Sequence, residues 1–131
     1  MIPERRERFK FPKASRLTRS AEFALVKKEG KSWTGKHLTL GILRRANESI
    51  TRLGIVTTRR LGHAVIRNRV RRRLREVFRL NQNRLISGLW IVTVARVSAG
   101  EATFQQLERD WLRLADRASI LAPISHDQAN N

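Results

Sequence analysis

Apolar and polar residues in the first half of the chain predict a short helix followed by two strands. Residues 20–29 place their apolar side chains at helical spacing, and Gly30 suits the position just past a helix end. Residues 37–43, HLTLGIL, alternate apolar and polar side chains, and residues 51–58, TRLGIVTT, form a second strand pattern. Because a short polar turn separates them, the two strands are expected to pair as an antiparallel hairpin.

The second half of the chain predicts a long amphipathic helix, a buried strand and a capped helix. The long helix carries an apolar stripe formed by Ile66, Val70, Leu74, Val77 and Phe78. Residues 88–96, GLWIVTVAR, are almost continuously apolar, which is typical of a strand covered on both faces. The last helix begins at a Thr103–Gln106 capping box. Its apolar face is expected to contain Phe104, Leu107, Trp111, Leu114, Ala115 and Ala118.

This order of elements predicts an α+β fold with three helices packed on a small sheet of three to four strands, in the order α-β-β(-β)-α-β-α. The length of 131 residues fits one compact domain. We expect a flexible basic arm over residues 1–16, one domain over residues 17–121 and a disordered tail over residues 122–131.

Composition removes several classes of function. The chain has no cysteine, which excludes disulfides, thiolate catalysis and cysteine-ligated zinc. The N-terminus shows no secretory signal, and the apolar run at residues 89–95 is far shorter than the ~20 residues that span a bilayer. We therefore expect a soluble, cytoplasmic protein that does not bind membranes.

The net charge of +17 favours a nucleic-acid partner, and its distribution is uneven. Residues 59–79 contain nine arginines and one glutamate, and residues 1–20 contain seven bases and two acids. Residues 97–131 contain three bases and five acids, so this end of the chain is expected to bind nothing anionic. A solvated helix face is the simpler interpretation of an arginine run, but such faces usually mix charges of both signs.

Catalysis by the protein itself is poorly supported. A metal-dependent nuclease needs clustered carboxylates, and the eleven acidic residues are scattered along the chain. The best pair, Glu108 and Asp110, lies on the last helix and is expected to be solvated. His37, His63 and His126 are isolated and match no motif spacing.

Three segments together resemble a known family. Residues 54–79, GIVTTRRLGHAVIRNRVRRRLREVFR, resemble the signature of the bacterial ribonuclease P protein component, with its basic pair, Gly-x-Ala-Val and Arg-Asn-Arg helix. Residues 16–30, RLTRSAEFALVKKEG, resemble the first helix of that family, and IVTVARVSA resembles its last strand. The resemblance implies the fold of ribonuclease P proteins, which is like that of domain 2 of ribosomal protein S5.

The resemblance also implies a function. Ribonuclease P removes the 5′ leader of precursor tRNA, and its RNA subunit performs the hydrolysis with Mg²⁺ that the RNA mainly holds. The protein would bind that RNA and the precursor tRNA, without a metal of its own and without an obligate protein partner. The alternative is a ribosomal or ribosome-assembly protein, a structural RNA binder that composition alone does not distinguish.

The family's functional residues map onto two sets of positions. The set expected to bind the catalytic RNA is Arg59, Arg60, Arg67, Asn68, Arg69, Arg72, Arg73 and Arg75. The leader is expected to lie between the first helix and the sheet, against Phe23, Lys27 and Arg96. Relatives often carry further aromatic residues where this chain has Lys27 and Gly41, so its channel is expected to depend more on charge.

Overall fold

Residues 13–122 are the part of the chain that the computed structural model describes, and they form three α-helices and four strands. The elements are α1 (Ser20–Glu29), β1 (Lys31–Thr34), β2 (Leu38–Arg44), β3 (Arg52–Val56), α2 (Ala64–Asn81), β4 (Leu89–Ala95) and α3 (Phe104–Arg117). The predicted α+β order is confirmed, and β1 is the optional extra strand. None of the described helices is long and apolar enough to cross a membrane.

Most of the predicted arm and tail lies outside the described residues. Of the arm predicted over residues 1–16, only the last four residues are described: Lys13–Ser15 forms a 3₁₀ turn, and Arg16 makes a bridge to Leu53. Of the tail predicted over residues 122–131, only residue 122 is described. The flexibility of both segments stays a prediction.

The predicted hairpin between residues 37–43 and 51–58 is wrong. The strand order is β1-β2-β4-β3, so β4 lies between β2 and β3. β4 pairs antiparallel with β2 and parallel with β3. The physical reason is burial, because β4 is apolar on both faces and a central position covers both.

The main core lies between one face of the sheet and helices α2 and α3. Val70, Leu74, Val77 and Phe78 of the predicted stripe are buried, and the half-buried Ile66 packs against them. On α3, Trp111 is fully buried, and its indole Nε1 donates a hydrogen bond to Thr93 Oγ1 at 3.1 Å. The predicted capping box is also present, since Thr103 and Gln106 exchange hydrogen bonds.

The opposite face of the sheet is covered by α1. Val26 of α1 and Leu17 before it pack on Trp90 and Val92 of β4. The prediction that β4 is covered on both faces is therefore confirmed. Because side chains alternate along a strand, α1 and the arginine-rich α2 lie on opposite faces of the sheet.

The expectation that Glu108 and Asp110 are solvated is wrong. Asp110 is only 3% exposed, and its carboxylate accepts the N–H groups of Lys36, His37 and Leu38 at 3.2, 2.9 and 3.0 Å. Glu108 is half-buried and accepts a hydrogen bond from Asn81 Nδ2 at 2.9 Å. Asp110 thus fixes the β1–β2 turn to α3, which helical periodicity could not show.

Candidate nucleic-acid interface

The outer face of α2 presents cations to solvent. Asn68, Arg72 and Arg75 are exposed, as the helical pattern predicts. Within residues 13–122, Arg72 and Arg75 form no hydrogen bond or ion pair. Arg79, in contrast, is engaged by its hydrogen bond to Glu76, which raises the pKa of the Arg79 guanidinium.

The cations around Arg75 are close enough to repel one another. Burial, and then the charges of Arg16, Arg71 and Arg72, lower the pKa of the Arg75 guanidinium. Arginine nevertheless stays charged in proteins, so the repulsion persists in the unbound protein. A phosphate at this surface would relieve that repulsion and accept the guanidinium's paired N–H donors.

Other arginines of α2 brace neighbouring loops. Arg67 donates to Gly62 O and Arg69 to Gly100 O, both at 2.8 Å, while Arg73 donates to Ala102 O at 2.6 Å. Arg71 bridges Thr57 and Asn68. Three of the eight positions predicted to contact the catalytic RNA therefore also donate hydrogen bonds to backbone carbonyl groups of the protein, namely Arg67, Arg69 and Arg73.

A second set of cations surrounds a cleft where β3 and β4 end. The cleft has a volume of about 880 Å³, and its lining includes Lys36, Arg59, Arg60 and Arg96. The structure thus brings Arg59 and Arg60 together with Arg96. The sequence prediction had assigned the first two to the catalytic RNA and Arg96 to the leader. Arg96 is held by a hydrogen bond to Gly35 O. Lys36 was missed by the sequence analysis, because a lone turn lysine carries no pattern.

A groove of about 420 Å³ lies between α1 and the sheet, where the leader channel was expected. Phe23 and Lys27 line it from α1, and Gly41 and Val94 line it from the strands. The half-buried Phe23 ring lies over Gly54, where an added Cβ would be 2.5 Å from Phe23 Cε1. Val94 also lines the cleft, so the groove and the cleft adjoin.

Glu22 fixes the start of α1 and hence the position of Phe23. Its Oε1 accepts the N–H groups of Thr18 and Arg19 at 2.9 and 3.0 Å, and its Oε2 pairs with Arg52 Nη2 at 2.9 Å. Burial alone would raise the pKa of Glu22, but the hydrogen bonds from Arg19, Thr18 and Arg52 outweigh it and lower the pKa. The charged carboxylate therefore stabilises the folded state.

Replacing Glu22 with glutamine is expected to lower the free energy of unfolding at neutral pH by about 1 kcal/mol, because a helix cap and an ion pair are weakened. The pKa of Glu22 is lower in the folded than in the unfolded protein, so its contribution is present above the unfolded pKa and is lost as pH falls through the folded pKa. The gap between the two proteins should shrink below about pH 4.5. Urea unfolding at a series of pH values measures this difference in unfolding free energy. A difference that does not change with pH would contradict a lowered pKa of Glu22.

The Arg72→Ala and Arg75→Ala variants are each expected to weaken binding to the RNA subunit without lowering the melting temperature. Both side chains are exposed, and removing one guanidinium–phosphate interaction should reduce the slope of log K against log salt by about 1. Filter binding across a salt series measures the slope. Arg73→Ala is the matched control, since it should lower stability by removing the bond to Ala102. An unchanged slope with a lowered melting temperature would make Arg72 and Arg75 structural.

Comparison with known proteins places the chain in a family. The sequence model of the family Ribonuclease P matches residues 11–119. The ribonuclease P protein component of Clostridioides difficile (strain 630) is 37% identical over 111 residues, which cover 84% of this chain and 96% of that protein. That of Chloroflexus aggregans is 39% identical over 110 residues, covering 83% of this chain and 81% of the relative.

Two solved structures share the fold. The ribonuclease P protein of Staphylococcus aureus superposes with a TM-score of 0.77 at 27% identity, covering 83% of this chain and 99% of that one. The protein from Thermotoga maritima superposes with a TM-score of 0.71 at 32% identity, covering 78% and 96%. These matches favour ribonuclease P over the ribosomal alternative that composition left open. The chain belongs to the bacterial ribonuclease P protein family.

Proposed function

We propose that this ribonuclease P protein binds the 5′ leader of precursor tRNA in the groove beneath α1, while its RNA subunit performs the cleavage. The observation that carries the proposal is the placement of α1 and α2 on opposite faces of one sheet. With the catalytic RNA against the exposed arginines of α2, the groove stays open on the other face. One small domain can then hold both RNAs at once.

The groove has the chemistry that an unpaired strand needs. Single-stranded nucleic acid binds where an aromatic ring stacks on a base and nearby cations follow the backbone. Phe23 supplies the half-buried ring, and Lys27 lies one turn further along the same helix. Arg59, Arg60 and Arg96 extend the cations into the adjoining cleft. We therefore assign these three arginines to the leader strand or to RNA beside it.

Five of the eight acidic side chains of the described region have other partners, which supports a division of labour between protein and RNA. Glu22 pairs with Arg52, Glu48 with Trp90, Glu76 with Arg79 and Glu108 with Asn81, while Asp110 is held by backbone N–H groups. Within residues 13–122, no three His, Asp or Glu side chains are grouped to hold a metal ion. We propose that Mg²⁺ is held mainly by the RNA subunit, where it would activate the attacking water. This role implies a cytoplasmic location.

Reconstitution tests the proposal directly. The purified protein alone should not cleave precursor tRNA at any Mg²⁺ concentration, and adding the cognate RNA subunit should restore cleavage at the mature 5′ end. Sequencing the RNA that copurifies with the protein identifies the partner. Robust cleavage by RNA-free protein would overturn the division of labour, and failure of the RNA subunit to bind would overturn the assembly.

A further inference from the structure

We infer that the basic track continues from the cleft, past Lys36, onto the outer face of α3, where Lys36, Arg109 and Arg113 bind phosphate groups of RNA. These residues line a pocket of about 210 Å³, here called the α3 pocket, together with Gln106, His37 and Asp110. The inference rests on the proposed RNA-binding function and extends it to an element that the sequence analysis excluded.

Helical spacing places the pocket's side chains together. Gln106, Arg109 and Arg113 are three and four residues apart on α3, so they form one row on its surface. All three are exposed. Within the described chain, Arg109 and Arg113 form no hydrogen bond or ion pair, so their guanidinium donors are available to a ligand. The Oε1 of Gln106 accepts the Thr103 N–H in the capping box, which leaves its amide N–H₂ as a further donor.

The net charge of residues 97–131 does not describe the surface of α3. Residues 97–131 carry more acids than bases, which predicted that this end binds nothing anionic. In the folded protein, Glu108 is bonded to Asn81, and Asp110 is buried against three backbone N–H donors that offset its charge. Asp116 is exposed on the same helix but does not line the pocket. The pocket therefore presents cations outward and keeps its carboxylate beneath them.

Lys36 connects the α3 pocket to the cleft, because it lines both. Its backbone is held firmly: its N–H donates to Asp110, and its carbonyl accepts the Ser98 hydroxyl at 3.1 Å. That hydroxyl in turn accepts His37 Nδ1–H at 2.8 Å, since its own hydrogen is directed to Lys36 O. A strand of RNA that leaves the cleft would meet Lys36 and then the two arginines of α3.

The phosphates could come from either RNA of the holoenzyme. A leader long enough to pass through the groove and the cleft would reach the α3 pocket with its far end. A strand of the RNA subunit beside α3 would present the same chemistry. The two sources differ in a measurable way, because only the first depends on leader length.

The test uses holoenzyme reconstituted with the Arg109→Gln/Arg113→Gln double variant. Dissociation constants across a salt series are measured for the RNA subunit, for precursors with long and short leaders, and for mature tRNA. We expect affinity for one RNA to fall about three- to tenfold, and its salt slope to shrink by about one to two, one for each phosphate interaction. A loss confined to long-leader precursor assigns the pocket to the leader, and a loss for the RNA subunit assigns it to that RNA.

Arg117→Gln is the control for general loss of charge, because it removes one positive charge from the same helix at a residue that does not line the pocket. It should leave every affinity within about twofold, and the double variant should keep the wild-type melting temperature. Unchanged affinities in every arm, or an equal loss in the control, would overturn the inference. If the wild-type holoenzyme binds precursor and mature tRNA equally well, the proposed leader groove is wrong. If the wild-type holoenzyme prefers precursor tRNA and the double variant has the same affinities, only the inference about the α3 pocket is wrong.

Discussion

Replacing Phe23 with alanine is expected to weaken precursor-tRNA binding about fivefold to over a hundredfold and to leave mature-tRNA binding near normal. A base stacked on an aromatic ring contributes roughly 1–3 kcal/mol, and mature tRNA has no leader to lose. The ring lines the groove beneath α1 and is only half-buried, so one side of it faces the groove. Affinity for the RNA subunit should not change, because α2 lies on the opposite face of the sheet. Fluorescence titration of the holoenzyme with both tRNAs measures the difference.

Phe23 also packs in the small core beneath α1, so stacking must be separated from packing. Leu25→Ala is the matched control, since Leu25 is half-buried in the same cluster and does not line the groove. It should lower stability without a preference between the two tRNAs. Phe23→Leu keeps an apolar side chain but removes the ring, and it should lose most of the leader affinity. If the Phe23 variants lose affinity equally for precursor and mature tRNA, Phe23 does not bind the leader.

Local sequence patterns predicted the individual helices well. The bounds of α1, the capping box of α3 and the apolar stripe of α2 follow from residues within a few turns of one another. Phe23 was assigned to the groove through the family resemblance, and the structure places it there. The ring's position over Gly54 joins α1 to β3, a contact that no local pattern contains.

Strand pairing was less predictable. Sequential strands often pair, which favoured a hairpin of β2 and β3, but β4 inserts between them. This choice depends on which strand is best buried on both faces, a property of the whole domain. The sequence did contain a signal for the central position of β4, because residues 89–95 are the longest apolar run and a strand that is apolar on both faces is best buried inside a sheet.

The arginines of α2 illustrate a second limit of the sequence. Arg72 and Arg73 are neighbours of identical chemistry, yet Arg72 is exposed while Arg73 donates a hydrogen bond to Ala102 O. The difference depends on where the loop before α3 places its carbonyl groups, which lies beyond the helix. Charge density therefore predicted that the surface binds RNA, while the division into exposed arginines and arginines that brace the protein's own loops required the fold.

Replacing Asp110 with alanine is expected to lower the free energy of unfolding by about 3–5 kcal/mol. The change would leave the N–H groups of Lys36, His37 and Leu38 without their acceptor, and each unsatisfied buried donor costs about 1–3 kcal/mol. Partial access of water to the turn reduces the sum. Urea unfolding measures the loss, and Asp116→Ala is the control, since this exposed neighbour should change stability by less than about 0.5 kcal/mol.

A double-mutant cycle with Gly35 tests whether the carboxylate itself shapes the turn. A Cβ added at Gly35 would lie 2.7 Å from Asp110 Oδ1, so Gly35→Ala should destabilise the wild-type protein. In the Asp110→Ala background the colliding oxygen is gone, and the same substitution should be nearly neutral, giving a coupling of about 1 kcal/mol or more. Additive effects would show that Asp110 and the turn are independent. Coupled effects would show that Asp110 shapes the turn that carries Lys36 and holds Arg96 through Gly35 O.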